Sequence, residues 1–183
     1  MDERHKTHAK IAFQSYVPRS RRKEELDGYI YQPEESHKKR VVYYHPEKDH
    51  YIIGYRGTNW KDKADVEDNT RIATGRLHTS PRHQAESDYL ENYKDKNVHL
   101  TGHSMGAAHS HALSHKHGHK SIAFSMPGMV EHFKDDLRTH FKKDKTRINY
   151  TTDKDKLGLT HMFSKRIKTK LKDNPHGLEN FMK

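Results

Sequence analysis

Val98-His99-Leu100-Thr101-Gly102-His103-Ser104-Met105-Gly106-Ala107-Ala108 runs from a short apolar strand into a helix through a turn of small residues. Within it, Gly102-His103-Ser104-Met105-Gly106 matches Gly-x-Ser-x-Gly, the spacing of a nucleophile elbow. Such a turn is so sharp that its flanking positions must be small. It leaves the serine hydroxyl projecting at the carboxyl end of a sheet, beside a helix N-terminus. Gly102, Gly106, Ala107 and Ala108 meet that demand. Downstream the pattern alternates: a helix over Met105 to about Lys116, a strand over Ser121 to Phe124, a helix over Val130 to Lys142, a strand over Arg147 to Thr151. This β-α-β-α-β order predicts parallel strands joined by right-handed crossovers.

Upstream, Tyr29 to Tyr31, Val41 to Tyr44 and Tyr51 to Tyr55 have the length and composition of short strands. His45 to His50 makes a hairpin connection between the last two, and the three form one edge of the sheet. Ala9, Ile11, Ala12, Phe13 and Tyr16 predict an amphipathic helix that ends before Pro18. Ser80-Pro81 is a cap and first-turn pair for a helix carrying Ala85, Tyr89, Leu90 and Tyr93. Between them, Trp60 to Arg76 is polar, a loop or short helix at the surface with Asp62, Asp65 and Asp68 three residues apart.

A length of 183 residues suits one domain. Leu, Ile, Val and Phe make up only about 16% of it, under the roughly 20% at which disorder becomes a competing expectation. Ten Tyr and the local apolar clusters argue instead for a lean core in a hydrophilic shell. The net charge of +10 favours anionic partners such as acidic lipid headgroups or nucleic acid, although no nucleic-acid-binding motif is present. Eighteen His predict that acidification makes the protein much more cationic. With no Cys, disulfides, thiolate metal sites and a Cys nucleophile are excluded, and the compartment stays open. Met1 to Lys10 lacks the apolar stretch of a signal peptide, and no run approaches 18 apolar residues, so a soluble chain is expected.

A serine hydroxyl is a weak nucleophile at neutral pH and needs a base within hydrogen-bond reach and an acid to orient that base. After an elbow of this kind the chain order is Ser, then Asp or Glu, then His. Asp153 and Asp155 are the acids that follow a strand, and His161 and His176 are the bases beyond them. The histidines preceding the acid are expected at the surface.

Five blocks, in order over roughly residues 52 to 181, resemble the class 3 lipase family of α/β-hydrolases. Ile52-Ile53-Gly54-Tyr55-Arg56-Gly57-Thr58 is similar to that family's apolar strand ending in Arg-Gly-Thr or Arg-Gly-Ser, and residues 99–108 resemble its nucleophile block. Phe124-Ser125-Met126-Pro127-Gly128 resembles its Phe-Gly-x-Pro segment, with Ser125 where Gly is frequent. Asn149 to Asp155 resembles the acid strand and His176-Gly177-Leu178 the base segment. The resemblance implies a compact α/β-hydrolase fold with a mixed, mostly parallel sheet and little room for a lid beyond Trp60 to Arg82. It implies Ser104 as nucleophile, Asp155 as acid and His176 as base, with Asp153 and His161 in reserve. The backbone amides of Met105 and Thr58 would form the oxyanion hole. The implied activity is carboxylester hydrolysis of acyl glycerolipids, of the lipase or phospholipase A type, without metal or organic cofactor.

Three other signals remain. His109, His111, His115, His117 and His119 crowd the helix after Ser104 and its exit; His111 and His115 at i, i+4 lack an evident third metal ligand, so these five are read as surface histidines. Lys165 to Lys172, with Phe163, Ile167 and Leu171 at four-residue spacing, predicts an amphipathic helix whose cationic face could meet an anionic lipid surface. Trp60 could insert at a lipid interface or pack. A reading from another class is a catalytically silent hydrolase-fold protein whose basic surface binds anionic lipid or nucleic acid, and a non-lipase acyl hydrolase is a third.

Overall fold

The computed structural model describes residues 1–128, 146–158 and 164–182. Eight strands form one sheet in sequence order: β1 (Glu25–Leu26), β2 (Tyr29–Tyr31), β3 (Arg40–His45), β4 (His50–Tyr55), β5 (Val98–His103), β6 (Lys120–Phe124), β7 (Arg147–Thr152) and β8 (Lys165–Ile167). β1 to β4 pair antiparallel, and β4 to β8 pair parallel. The β3–β4 hairpin turns through a short 3₁₀ segment, Pro46–Lys48, with Asp49 left-handed at φ 41°. The expected mixed sheet with a parallel centre is therefore present.

Alternation along the strands builds two apolar faces. Val41, Tyr43 and Ile52 pack with Ile11 of α1 (Lys6–Gln14), while Ala9 and Ala12 of that helix meet Ile122, Phe124 and Phe181. On the opposite face Val42, Ile53 and Leu100 pack with Leu90 of α3 (Pro81–Leu90) and Leu113 of α4 (Met105–His117). Ser80 caps α3 by accepting a hydrogen bond from the His83 N–H, as its sequence position predicts.

The polar stretch after β4 contains α2 (Lys63–Ala73). The three-residue spacing of its aspartates has separate uses. Asp62 caps the helix by accepting from the Ala64 N–H, and Asp65 and Asp68 point into the protein.

Two expectations are corrected. Lys165–Ile167 is a strand: it pairs with Tyr150–Thr152 and satisfies an edge of the parallel sheet. The backbone then continues without helix, the Lys170 and Leu171 amides both donating to the buried Asn180 side chain at 2.9 Å. The histidines before the acid are not generally at the surface: His8, His45, His50, His83, His103, His109, His111 and His119 are all buried. Imidazole is compact enough to fill a core position when hydrogen-bonded, and Ala-rich α4 packs closely against the sheet. The helix predicted over Val130 to Lys142 lies outside the described residues. Among the described residues no helix is long and apolar enough to cross a membrane.

Candidate active site

Ser104 follows the last residue of β5 and precedes α4, with φ 55° and ψ −125°. A non-glycine residue pays strain for a positive φ, which persists only where surrounding structure fixes it. The Ser104 N–H donates to the Phe124 carbonyl at 3.0 Å, and its own carbonyl accepts from the Ala107 N–H at 3.0 Å. The turn also needs bare backbone: a Cβ on Gly106 would lie 2.1 Å from the Tyr55 carbonyl oxygen, and one on Gly102 would lie 2.3 Å from that of Gly106. Helix and strands meet here at backbone contact, which is why only Gly serves at both positions.

The segment leaving β4 lies against this turn. Tyr55 is in register with Gly102, and a Cβ on Gly57 would lie 2.8 Å from the His103 carbonyl oxygen. The Thr58 hydroxyl donates to Asn69 Oδ1 at 3.1 Å and lies 3.8 Å from Met105 Sδ. Thr58 and Met105 are thus brought together. Met105 heads α4, whose first amides have no intrahelical acceptor.

Asp155, just beyond β7, lies with both carboxylate oxygens 2.9 Å from His176 Nδ1. It is 2% exposed and also accepts from the Leu157 and Gly158 amides at 3.1 and 3.0 Å and from the Thr151 hydroxyl at 3.2 Å. Burial by itself would push its pKa up. Hydrogen bonds from His176 and the Gly158 amide outweigh that and hold it at about 2. An ionised carboxylate only accepts, so the proton of neutral His176 sits on Nδ1 and its Nε2 carries the lone pair. Asp153 is turned away: exposed, it accepts from the Thr169 amide and hydroxyl at the exit of β8. His161 lies outside the described residues.

Four residues with no assigned part in the sequence reading hold these segments in place. His103 Nε2 is 2.6 Å from the His176 carbonyl and must donate to it. Burial, with His176 nearby, lowers the His103 pKa to about 4, so the ring is neutral and its Nδ1 accepts from the Tyr16 hydroxyl at 2.9 Å. That hydroxyl in turn accepts from the Gly57 N–H at 3.0 Å. One chain of hydrogen bonds therefore links the Thr58 loop, the residue before Ser104 and the backbone of His176, whose ring centroid is 4.7 Å from that of His103. Asp65, fully buried, receives Lys39 Nζ at 2.7 Å, Arg56 at 3.0 Å, Arg82 at 3.4 Å and the Asn59 N–H at 3.0 Å, fixing the start of the same loop. Asn69 takes the Thr58 hydroxyl. Alternation on β5, which puts His99, Thr101 and His103 on one face, is the sequence signal for His103; Tyr16 and Asp65 have none that is local.

Among the described residues no group of three or more His, Asp or Glu is arranged to hold a metal ion. A parallel-centred sheet with a strained serine between β5 and α4 defines an α/β-hydrolase-like fold. Solved structures similar to it are lipases. The nonglycosylated LIP2 lipase of Yarrowia lipolytica aligns at 14% identity and a TM-score of 0.50, over 79% of this chain and 69% of that one. Another Lip2 structure from Yarrowia lipolytica gives 14% and 0.47 over 83% and 72%, and the Rhizopus microsporus var. chinensis lipase gives 13% and 0.46 over 82% and 64%. At these identities the likeness is one of fold. No family model matches the chain, and no curated protein matches it.

Proposed function

We propose that the protein is a serine carboxylester hydrolase acting on acyl glycerolipids, a triacylglycerol lipase or a phospholipase of the A type. The observation that carries this reading is the Asp155–His176 pair, 2.9 Å apart and hydrogen-bonded through His103 to the elbow of Ser104. Ser104 Oγ attacks the ester carbonyl carbon while His176 Nε2 takes its proton, and Asp155 stabilises the imidazolium. The Met105 and Thr58 amides bind the oxyanion, each donor lowering the barrier by roughly 3 kcal/mol. The C–O bond to the alcohol then breaks, and His176 returns the proton to the leaving oxygen. Water, deprotonated by the same imidazole, releases the fatty acid and restores Ser104.

Exposed apolar side chains flank these residues and favour a lipid ester. Trp60, 77% exposed, lies two residues beyond Thr58, and Leu157, 48% exposed, two beyond Asp155. Exposed Lys61, Lys63, Lys154 and Lys156 neighbour them in sequence, suited to an anionic lipid surface.

The test is covalent labelling by a fluorophosphonate, read by intact mass on wild type and Ser104→Ala. The expected result is one adduct per wild-type chain and none on the variant, unchanged by EDTA. A folded wild-type protein that takes no label would overturn the reading in favour of a silent binding protein. Turnover of a triacylglycerol and phosphatidylcholine panel then separates the two substrate types.

A further inference from the structure

At the amino ends of the parallel strands, the end of the sheet away from Ser104, lies a cavity of about 690 Å³. His99 is the second residue of β5 and Ser104 follows its end, so five residues at about 3.3 Å each put the two sites roughly 16 Å apart. His5, His8, His50 and His99 line the cavity together with Tyr29 and Tyr150.

The imidazoles are organised. His8 Nδ1 lies 3.3 Å from the Arg4 carbonyl, which only accepts, so that nitrogen carries the proton and His8 Nε2 accepts from His99 Nδ1 at 3.0 Å. His50 packs edge-on against His99, with ring centroids 4.3 Å apart; its Nδ1 accepts from the Tyr29 hydroxyl at 2.7 Å, which leaves the ring proton on Nε2. His50 Nε2 has no hydrogen-bond partner, although the residue is only 6% exposed. A buried polar nitrogen left in that state calls for a ligand atom.

The charge around it is in positive excess. Lys48, Lys120 and Lys165 stand at the cavity, and none has a carboxylate within ion-pair distance among the described residues. The two carboxylates present are already engaged: Asp2 by Arg4 at 2.8 Å, and Asp27 by Lys10 at 2.9 Å and Thr7 at 2.7 Å. Burial, with Lys48 and Lys120 adding repulsion, lowers the His50 pKa to about 4; burial, with His50 and Lys120, lowers that of His99 to about 3. The rings are thus neutral hydrogen-bonding groups beneath a cationic rim.

We propose that this cavity binds a phosphate monoester, its phosphoryl oxygens held by Lys48, Lys120 and His50 Nε2 and its organic group lying along Ile122 and Ile148. Two ammonium groups and a neutral imidazole match the several acceptor oxygens of a phosphoryl group better than the two of a carboxylate. The volume exceeds a bare phosphate, and the two isoleucines give the remainder an apolar wall. Such a ligand would join α1 to β4–β7 and stabilise the folded state by mass action.

Two probes separate the sources of that chemistry: glycerol 3-phosphate in solution, and phosphatidylcholine vesicles with and without phosphatidic acid. Binding is followed by calorimetry, by the melting temperature and by the histidine ring proton resonances. A saturable response to either probe is expected, with His50 and His99 resonances shifting. Lys48→Ala with Lys120→Ala should weaken binding at least tenfold, the loss of one charge-assisted hydrogen bond or more. Arg21→Ala with Lys38→Ala, the same charge removed at exposed positions outside the cavity, should leave it unchanged. Response to vesicles alone, lost in the first pair, assigns the site to a lipid headgroup. No response to either probe overturns the proposal, as does equal weakening by the control pair. The histidine shifts in the wild type decide the matter even if a variant fails to fold, and Ser104→Ala should bind like wild type whatever its labelling.

Discussion

Tyr16 holds the site through one oxygen, which accepts from Gly57 and donates to His103 while His103 holds the His176 backbone. Tyr16→Phe removes that oxygen and leaves the ring, so the Gly57 amide loses its acceptor and His103 Nδ1 its donor. A net cost of about 1 kcal/mol per bond predicts a fluorophosphonate labelling rate roughly ten- to thirtyfold lower, with little change in KM for a soluble ester. Labelling at the wild-type rate would rule out the positioning role. His176→Ala removes the proposed base, and labelling should fall by about 10⁴ or more with the fold intact by circular dichroism. These two residues differ in legibility. His176 is one of the two bases that chain order allows and the one that the resemblance of His176-Gly177-Leu178 implies, whereas Tyr16 reaches the site from 87 residues before its partner His103, a contact that only the packing of α1 on the sheet creates.

Among the elements, the loop between β4 and α2 depends on the charge cluster at Asp65. A fully buried carboxylate shared by Lys39, Arg56 and Arg82 is costly to break, because removing it leaves cations without countercharge. Asp65→Ala should therefore lower stability by about 3–5 kcal/mol in urea unfolding and free the Asn59 amide beside Thr58. A loss under about 1 kcal/mol would mean that the cluster does not hold the loop. The sequence reading reached the elements whose cause is local: the β3–β4 hairpin, the Ser80 cap, and the elbow, where small residues surround a strained Ser104. It missed where long-range pairing overrides local periodicity. Lys165 to Leu171 has helical spacing of apolar residues, yet the free edge of β7 takes Lys165–Ile167 as a strand. Asp62, Asp65 and Asp68 look alike in a polar stretch, and only the sheet beneath α2 separates a cap from two buried carboxylates.

For the whole molecule, the burial of so many imidazoles reverses the expectation that acid simply adds charge to the folded protein. His8, His103 and His109 are buried, and burial first of all lowers their pKa values, to about 4 for His103 and His109 and well below the usual value for His8. The unfolded chain takes up these protons near pH 6.5, whereas the folded one does not until near 4 at His103 and His109, and His8 is lowered in the same direction. Between those limits the unfolded state binds more protons, so stability rises with pH from about 4 to 6.5 and levels off above. His103 and His109 each contribute up to about 1.4 kcal/mol per pH unit in that window, and His8 acts in the same direction. For His103 and His109 the sum across two units reaches the lower end of the roughly 5–15 kcal/mol total of an ordinary domain. Asp155 adds a second acid loss: its folded pKa of about 2 lies below the ordinary 3.8, so its contribution is present above that value and disappears as pH falls toward 2. Urea unfolding from pH 8 to 4.5 should give a plateau above pH 7 and a steep decline below 6.5, with His109→Gln flattening part of the slope. A level profile down to pH 5 would mean that these rings are protonated in the folded protein, and that its lean core tolerates buried charge.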